Sequence, residues 1–234
     1  MADSVRGAII AAGEGSRLRA DGYRVPKPMV EVAGLPLIGA VLRNFTTAGI
    51  TAITIILNEQ ERECVQWVRT RFPALEIDFI VKTTASSLES FREVTGRGPA
   101  GPVLVSTVDA WCAAEDFARF AAAAASRPDD ATVLAVTPFV SDEKPLWVTL
   151  GAGGRVEGLG TGDSGLVTAG VYRVSDRARR LAPTRELGRL REYLGWLHES
   201  GEPLYGEIIE TVVDVDRALD VASAEALARG VRRT

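Results

Sequence analysis

The sequence has few of the residues that build metal clusters, disulfides or membrane spans. Its 234 residues include 2 cysteines and 1 histidine. Cys64 and Cys112 form neither a metal-binding spacing nor a disulfide framework, so we expect both to be reduced thiols. No apolar run approaches the roughly 18 residues of a transmembrane helix, and the apolar stretch 7–12 is too short for a signal peptide. We therefore expect a cytoplasmic protein without a membrane partner.

The chain also lacks an excess of positive charge. Its formal net charge is −4, whereas nucleic-acid binding favours a basic surface, so no nucleic-acid partner is expected. Internal repeats, linkers and low-complexity segments are missing as well. A chain of this length without a linker predicts a single domain over residues 1–234. Whether it forms a homo-oligomer stays open.

Strand and helix patterns alternate as far as the predicted strand 132–137. This βαβ order is typical of a doubly wound, mostly parallel α/β sheet of the Rossmann-like kind. Beyond it, glycines at 151–154 between two short apolar runs predict a β-hairpin. A longer strand at 167–174 follows, and amphipathic or alanine-rich stretches predict helices at 185–198 and 223–232. The fold prediction is thus an α/β sheet with an added hairpin and a helical C-terminal part.

A glycine-rich turn follows the first predicted strand, Ala8–Ala11. Residues 13–17 read Gly-Glu-Gly-Ser-Arg, and Lys27 follows between two prolines. Backbone N–H groups in such a turn suit phosphate oxygens. Because Arg17 and Lys27 add positive charge at the same place, the stretch predicts a site for nucleotide phosphates.

Two common phosphate loops do not fit this stretch. A P-loop contains Gly-Lys followed by Ser or Thr, which is missing here. A dinucleotide loop needs a third glycine where this chain has Leu18, and a helix that Pro26 and Pro28 would interrupt. Only Glu31, at about the spacing of a ribose-binding acid, favours the dinucleotide interpretation. An ordinary tight turn would explain the glycines but not the two cations.

The opening motif resembles that of the sugar-phosphate nucleotidyltransferases, whose fold is shared with GT-A-type glycosyltransferases. The likeness is carried by A-A-G-E-G-S-R-L at 11–18 and P-K-P-M-V-E-V-A-G-L-P-L-I at 26–38. The chain is most similar to the small inositol-phosphate and phosphocholine cytidylyltransferase-like members. The resemblance implies magnesium-dependent nucleotidyl transfer from a nucleoside triphosphate to a phosphorylated small-molecule acceptor, with release of pyrophosphate.

The resemblance also implies which residues bind the nucleotide. The loop amides and Arg17 would hold the β- and γ-phosphates, and Lys27 would contact the α-phosphate or bridge it to the acceptor. Ser86 belongs to a segment that aligns with a base-facing part of the family, although a helix-capping role is the alternative. The nucleotide-binding residues so implied are Ala11, Ala12, Gly13, Glu14, Gly15, Ser16, Arg17, Lys27 and Ser86.

Two aspartates are the metal ligands that the resemblance implies. The strand at 103–107 delivers Asp109 to the carboxyl end of the sheet, where ligands bind in α/β folds. Val108 precedes it where the family usually has glycine, and a helix cap is the alternative role. Near the C-terminus, V-D-V-D resembles a segment whose first aspartate, here Asp214, is the second Mg²⁺ ligand, while Asp216 would be a cap or an outer group. The catalytic residues implied are Arg17, Lys27 and Asp109.

The residues that would bind the acceptor are less clearly marked. Many family members carry Glu-Lys-Pro before the strand equivalent to 167–174. Here that motif, which contains Lys144, lies one hairpin earlier, and the segment 158–162 at the usual place has no lysine. A loop role for Lys144 and a core role for Trp111 are the alternatives. The candidate acceptor contacts are Trp111, Lys144 and Arg173.

Three other functions stay open at this point. A glycosyltransferase would use Asp214-Val-Asp216 as its metal motif, although that motif normally falls mid-chain. A catalytically silent regulatory subunit that binds nucleotide sugars would explain the altered acceptor side, and molybdenum-cofactor guanylyltransferases share the opening loop. The single histidine, His198, lies at the edge of a predicted amphipathic helix and is expected at the surface. The implied reaction does not need it, because an anionic acceptor phosphate attacks without a general base.

Overall fold

The structure, a computed structural model, describes residues 5–140, 145–160, 162 and 164–230. In this part of the chain the strands are, in order, β1 (Arg6–Ala11), β2 (Glu31–Val32), β3 (Leu35–Pro36), β4 (Ala52–Leu57), β5 (Glu76–Val81), β6 (Val103–Thr107), β7 (Ala110–Trp111), β8 (Thr132–Thr137), β9 (Val148–Leu150), β10 (Val156–Leu159), β11 (Val167–Val174), β12 (Leu204–Ile208) and β13 (Val213–Asp214). The α-helices are α1 (Ser16–Ala20), α2 (Leu37–Thr47), α3 (Arg62–Arg71), α4 (Ser87–Thr95), α5 (Ala114–Ala125), α6 (Asp176–Arg180), α7 (Leu190–Glu199) and α8 (Ala218–Ala228).

The central sheet has seven strands in the order β12-β8-β11-β6-β1-β4-β5. Strands β6, β1, β4 and β5 are parallel to one another. Strand β11 runs antiparallel to β6 and β8, and β12 is parallel to β8. The prediction of a mostly parallel, doubly wound sheet is confirmed. Because β1 and β6 are adjacent and parallel, the loops that follow them leave the sheet at the same edge.

Alternate residues of β1 face two separate cores. Ile9 is buried with Phe45 of α2 and Phe117 of α5 on one face. Ile10 lies with Phe91 of α4 and the buried residues of α7 on the other. Helices therefore cover both faces of the sheet, as its continuous apolar strands require.

The predicted hairpin in the second half of the chain is confirmed, but both helices predicted there have different bounds in the structure. Strands β9 and β10 pair antiparallel. Helix α7 begins at Leu190 rather than at 185, because the backbone N–H groups of Gly188 and Arg189 donate to the Glu192 carboxylate, at 2.8 and 3.1 Å. Helix α8 begins at Ala218, where Asp220 accepts from the Arg217 N–H at 2.8 Å. Among the described residues no helix combines the length and apolarity that a membrane crossing requires.

Strand β11 contains an irregularity in its pairing with β8. Its register with β8 shifts between Thr168 and Tyr172. Within this stretch Gly170 has a φ of +72°, and a Cβ there would lie 2.6 Å from Thr107 Oγ1 and 3.0 Å from Ala110 Cβ. Both the backbone and the neighbours therefore require glycine at this point.

We expect Gly170→Ala to lower the free energy of unfolding by about 1–3 kcal/mol, from the left-handed backbone and the overlap with Thr107. The matched control is Gly195→Ala in the middle of α7, where no atom lies within 4 Å of the added methyl group. That change should raise the free energy of unfolding by about 0.5–1 kcal/mol through helix propensity. Urea unfolding of both variants measures the difference, and effects of the same sign would contradict it.

Candidate active site

The glycine-rich loop and Lys27 form one packed unit. The loop follows β1, with Ala11 and Ala12 buried and the residues after them exposed. Gly15 has a φ of +60°, and a Cβ at this residue would lie 2.8 Å from the Cβ of Lys27. The second glycine of the motif is thus required where the loop packs against the Lys27 turn. This contact explains why the two parts of the motif occur together.

Three aspartates meet at the carboxyl edge of the sheet. Asp109 follows β6, Asp214 ends β13, and Asp216 lies just beyond it. Strand β13 pairs with β7, which places Asp214 opposite Ala110, and the Val215 N–H donates to the Asp109 carbonyl at 3.0 Å. One oxygen from each aspartate lies within 4.8 Å of the others. Such a set of oxygen ligands fits Mg²⁺, which completes its shell with water and phosphate.

Neither Asp109 nor Asp216, for which the sequence suggested a capping role, serves as a helix cap. Helix α5 has Ala113 at its N-cap position, so Asp109 is not the cap of the helix that follows it. At α8, Asp220 accepts from the N–H groups of Asp216 and Arg217. The capping role that the sequence suggested for Asp216 therefore belongs to Asp220, which leaves the Asp216 carboxylate for the site.

Both predicted phosphate-binding cations contact this acidic cluster. The Lys27 side chain is only 7% exposed, and its Nζ donates to Asp109 Oδ2 at 2.6 Å and to the Asp216 carboxylate. Arg17 pairs with the other Asp216 oxygen at 2.9 Å. The ammonium neutralises carboxylates that would otherwise repel one another. Asp216 thus joins both cations to the acidic cluster, a role that was not predicted from the sequence.

The pKa values of this pair keep both groups charged at neutral pH. Burial alone would lower the pKa of Lys27, but Asp109 and Asp216 raise it above its usual value. Burial would likewise raise the pKa of Asp109, but Lys27 and the Thr107 hydroxyl hold it below its usual range. This ion pair stabilises the fold at pH values above the pKa that Asp109 has in the unfolded chain. The stabilisation is lost as the pH falls through the lower pKa that Asp109 has in the folded protein.

A cavity of about 190 Å³ adjoins the aspartates on the β11 side. Its wall includes Asp109 and Asp214, the hydroxyls of Thr168 and Tyr172 on β11, and Arg191 from the first turn of α7. Burial raises the pKa of the Tyr172 phenol to about 12, although Thr168 and Arg191 lower it and both aspartates raise it further. The phenol therefore stays protonated and can donate a hydrogen bond.

A second cavity, of about 400 Å³, lies beside the glycine-rich loop. The residues that line it include Glu14, Arg19, Asn58, Glu61 and Thr83, from the loop and from the carboxyl ends of β4 and β5. Thr83 belongs to the segment with Ser86 that resembles a base-facing part of the family, whereas Asn58 and Glu61 were not predicted. Strand β4 ends in an ordinary apolar run, so the sequence offers no signal for them.

Ser86 has a structural partner of its own. Its hydroxyl accepts a hydrogen bond from the Glu89 N–H at 3.1 Å and caps α4. Glu89 in turn accepts from the Ala85 N–H at 2.7 Å. The capping role considered for Ser86 is therefore present, and any contact with a nucleotide would be additional to it.

Glu61 predicts a measurable pH dependence of stability. Burial raises the pKa of its carboxyl to about 7, although hydrogen bonding to the Asn58 N–H and the charge of Arg19 lower it. Because this value lies above the unfolded one, stability should fall as the pH rises from about 4.5 to 7. Glu61→Gln keeps an acceptor for Asn58, so we expect it to be more stable than the wild type at pH 8 by about 1–3 kcal/mol.

Chemical denaturation at pH 4 and pH 8 tests this expectation. The stability gain of Glu61→Gln over the wild type should vanish at pH 4, where the side chain at this position is neutral in both proteins. Glu63→Gln, at an exposed position two residues further along in α3, is the control and should change stability little at either pH. A gain for Glu61→Gln that is equal at both pH values would show that charge is not its cause.

The candidate acceptor residues lie in different places. Trp111 is 8% exposed in the core and lines a separate cavity against α8. Arg173 is buried opposite Leu104, at the start of β6, and donates to the carbonyl of Ala131 at 3.1 Å. Because β11 is antiparallel to β6, this end of β11 lies away from Asp109. The structure therefore does not bring Arg173 to the aspartates. Lys144 lies outside the described residues.

The fold and the charged groups of the site agree with the resemblance to the nucleotidyltransferases, and a family model identifies the family. The chain belongs to the family of the MobA-like NTP transferase domain, whose model matches residues 7–192. This confirms the resemblance to the nucleotidyltransferases. The inositol-1-phosphate CTP transferase from T. maritima has a similar structure, with a TM-score of 0.79 and 17% identity over 98% of each chain. At this identity the likeness concerns the fold.

Two curated relatives match shorter segments. A 2-aminoethylphosphonate cytidylyltransferase from Lancefieldella rimae is 28% identical over 102 residues, which are 42% of this chain and 41% of that protein. A CMP-5'-(3-aminopropyl)phosphonate synthase from Streptomyces rubellomurinus is 27% identical over 90 residues, 38% of this chain and 14% of that protein. The matched segments thus span less than half of each relative.

Proposed function

We propose that this protein is a magnesium-dependent nucleotidyltransferase that joins a nucleoside triphosphate to a phosphorylated small molecule and releases pyrophosphate. The observation that carries the proposal is the meeting of Lys27 with Asp109 and Asp216 beside the glycine-rich loop. Anionic phosphates and a divalent metal both need such groups. A binding module for an uncharged ligand would not need a buried ammonium beside three carboxylates.

Each charged group has a role in this proposal. The loop amides and Arg17 hold the β- and γ-phosphates, and Lys27 holds the α-phosphate where the acceptor attacks. Asp109 and Asp214, with Asp216 beside them, would hold the Mg²⁺ ion, which neutralises charge as pyrophosphate leaves. An acceptor phosphate is largely a dianion at pH 7, so it attacks without a general base. The rate then depends on positioning and charge neutralisation, as in other phosphoryl transfers.

Cytidine triphosphate and a phosphorylated or phosphonylated acceptor are the substrates to test first. Both curated relatives carry a cytidylyl or CMP activity in their names, together with an aminoalkylphosphonate. The product would be a nucleoside-diphosphate-linked sugar or polyol, or the corresponding cytidylyl phosphonate. A glycosyltransferase would instead consume such a product and release a nucleoside diphosphate.

A pyrophosphate-release screen tests the proposal. It crosses CTP, UTP, GTP, ATP and dTTP with sugar 1-phosphates, inositol phosphate, phosphocholine and 2-aminoethylphosphonate, with Mg²⁺ or with EDTA. We expect at least one pair to give pyrophosphate and a mass-identified conjugate in the Mg²⁺ arm only. Folded protein that binds nucleotide but releases no pyrophosphate with any pair would favour a regulatory subunit. Release of a nucleoside diphosphate from a nucleotide sugar would favour a glycosyltransferase.

A further inference from the structure

Arg191 brings a positive charge to the cavity beside the acidic cluster. It is the second residue of α7 and lines the same cavity as Asp109 and Asp214. All three charges act on the pKa of the Tyr172 phenol, so they lie near one hydroxyl group. The sequence analysis could not place this arginine, since it predicted that the helix begins at residue 185.

The first turn of α7 is held firmly in position. The Leu190 N–H donates to Ser87 Oγ of α4 at 3.0 Å, and Glu192 accepts from the N–H groups of Gly188 and Arg189, just before the helix. Tyr193, two residues after Arg191, is buried, and its hydroxyl donates to the Leu181 carbonyl at 2.9 Å. The backbone of Arg191 is therefore fixed between two anchored neighbours, at a point where its side chain lines the cavity.

An acceptor in this cavity would bring negative charge with it. A phosphate monoester or phosphonate attacks through one oxygen and keeps two more that need partners. Burying those oxygens without a partner is costly, whereas the planar guanidinium of arginine bonds two phosphate oxygens at once. The hydroxyls of Thr168 and Tyr172 lie in the same wall, and most of the remaining lining is apolar.

We infer that Arg191 binds the phosphate or phosphonate group of the acceptor and thereby selects tetrahedral dianions as acceptors. It takes the place of the lysine that the segment 158–162 lacks. The inference rests on the proposed function and adds to it the residue on which acceptor affinity depends.

Kinetics of Arg191→Ala and Arg191→Lys test this assignment, using the acceptor found in the pyrophosphate screen. We expect Arg191→Ala to raise the acceptor KM by about 10- to 100-fold, the usual cost of a charged hydrogen bond, with the triphosphate KM unchanged. Arg191→Lys should recover part of the loss, and added guanidinium ion should partly restore Arg191→Ala. The control is Arg185→Ala, which removes an exposed arginine that precedes α7 and pairs with Glu199 at the end of that helix.

A binding measurement separates this inference from the proposed function. Methylphosphonate is titrated into wild type and Arg191→Ala, without nucleotide, and followed by calorimetry. Binding by the wild type that Arg191→Ala loses supports the inference, even if no substrate pair gives pyrophosphate and the proposed function fails. Equal binding by both proteins, or none by the wild type, would overturn it. An equal rise in both KM values would also overturn it, because it would point to a merely structural role.

Discussion

Replacing Lys27 by methionine should lower kcat by about 10²- to 10³-fold, the usual cost of removing one charged donor from a site where negative charge develops. Methionine keeps the unbranched stem that packs against Gly15 and removes only the ammonium. The triphosphate KM should rise less than kcat falls, because Arg17 and the loop amides stay in place. Steady-state pyrophosphate release at saturating Mg²⁺ measures both effects.

The same substitution should also change stability, in a way that depends on pH. Without the ammonium, the pKa of Asp109 should rise, since burial then acts without its main opponent. The variant should lose about 1–3 kcal/mol of stability at pH 7, less than for a fully buried pair because both carboxylates are partly exposed, and should recover it as the pH falls toward 4. Mg²⁺ should raise the melting temperature of the variant more than that of the wild type.

Two comparisons make the Lys27 result interpretable. Lys27→Arg keeps the charge but not the shape of the side chain, so its kcat and its stability should lie between those of the wild type and Lys27→Met. Arg97→Met removes a cation from an exposed pair with Asp78, 3.4 Å apart, and should leave both activity and stability nearly unchanged. If Lys27→Met retained the wild-type kcat in a stable protein, Lys27 would serve the fold alone.

The phosphate half of the site could be predicted from the sequence because its parts are close together in the chain. The glycines and Lys27 lie within one short stretch, and their spacing is explained by the contact of Gly15 with Lys27. The end of β6 marks Asp109 in the same way, since a buried strand is easily recognised and its carboxyl end is where ligands bind. The strands at 103–107 and 132–137 were predicted with their observed bounds for the same reason.

The remaining site residues depend on contacts that a linear pattern does not contain. Arg17 and Asp216 are separated by 199 positions along the chain, and no local signal joins them. The V-D-V-D alternation does place Asp214 and Asp216 on one side of an extended segment, a signal that could have assigned both to the site. For Arg173 the outcome depended on the direction of β11, which only the assembled sheet determines. For Arg191 it depended on the packing that brings the first turn of α7 beside β11.

Asp109→Asn should reduce kcat/KM by about 10²- to 10³-fold and raise the Mg²⁺ concentration needed for half-maximal rate. The amide keeps the shape of the carboxylate and still offers an oxygen to Lys27 Nζ, so the fold should persist. Removing one negative charge weakens the attraction for a hard divalent cation, which prefers anionic oxygens. Binding of Mn²⁺, followed by electron paramagnetic resonance, measures the metal affinity without relying on turnover.

The same variant separates a metal ligand from a helix cap. Asparagine caps helices about as well as aspartate, so a capping Asp109 would tolerate the change with full activity and full Mn²⁺ affinity. Asp78→Asn, which breaks the exposed pair with Arg97, is the matched control and should behave as wild type. Since Lys27 contacts both Asp109 and Asp216, a metal ion on these oxygens must displace its ammonium in part. In Asp109→Asn the lysine is held by one fewer anion and is easier to displace, which favours the metal ion. We expect the loss of the anionic ligand to outweigh this effect, so that metal binding becomes weaker.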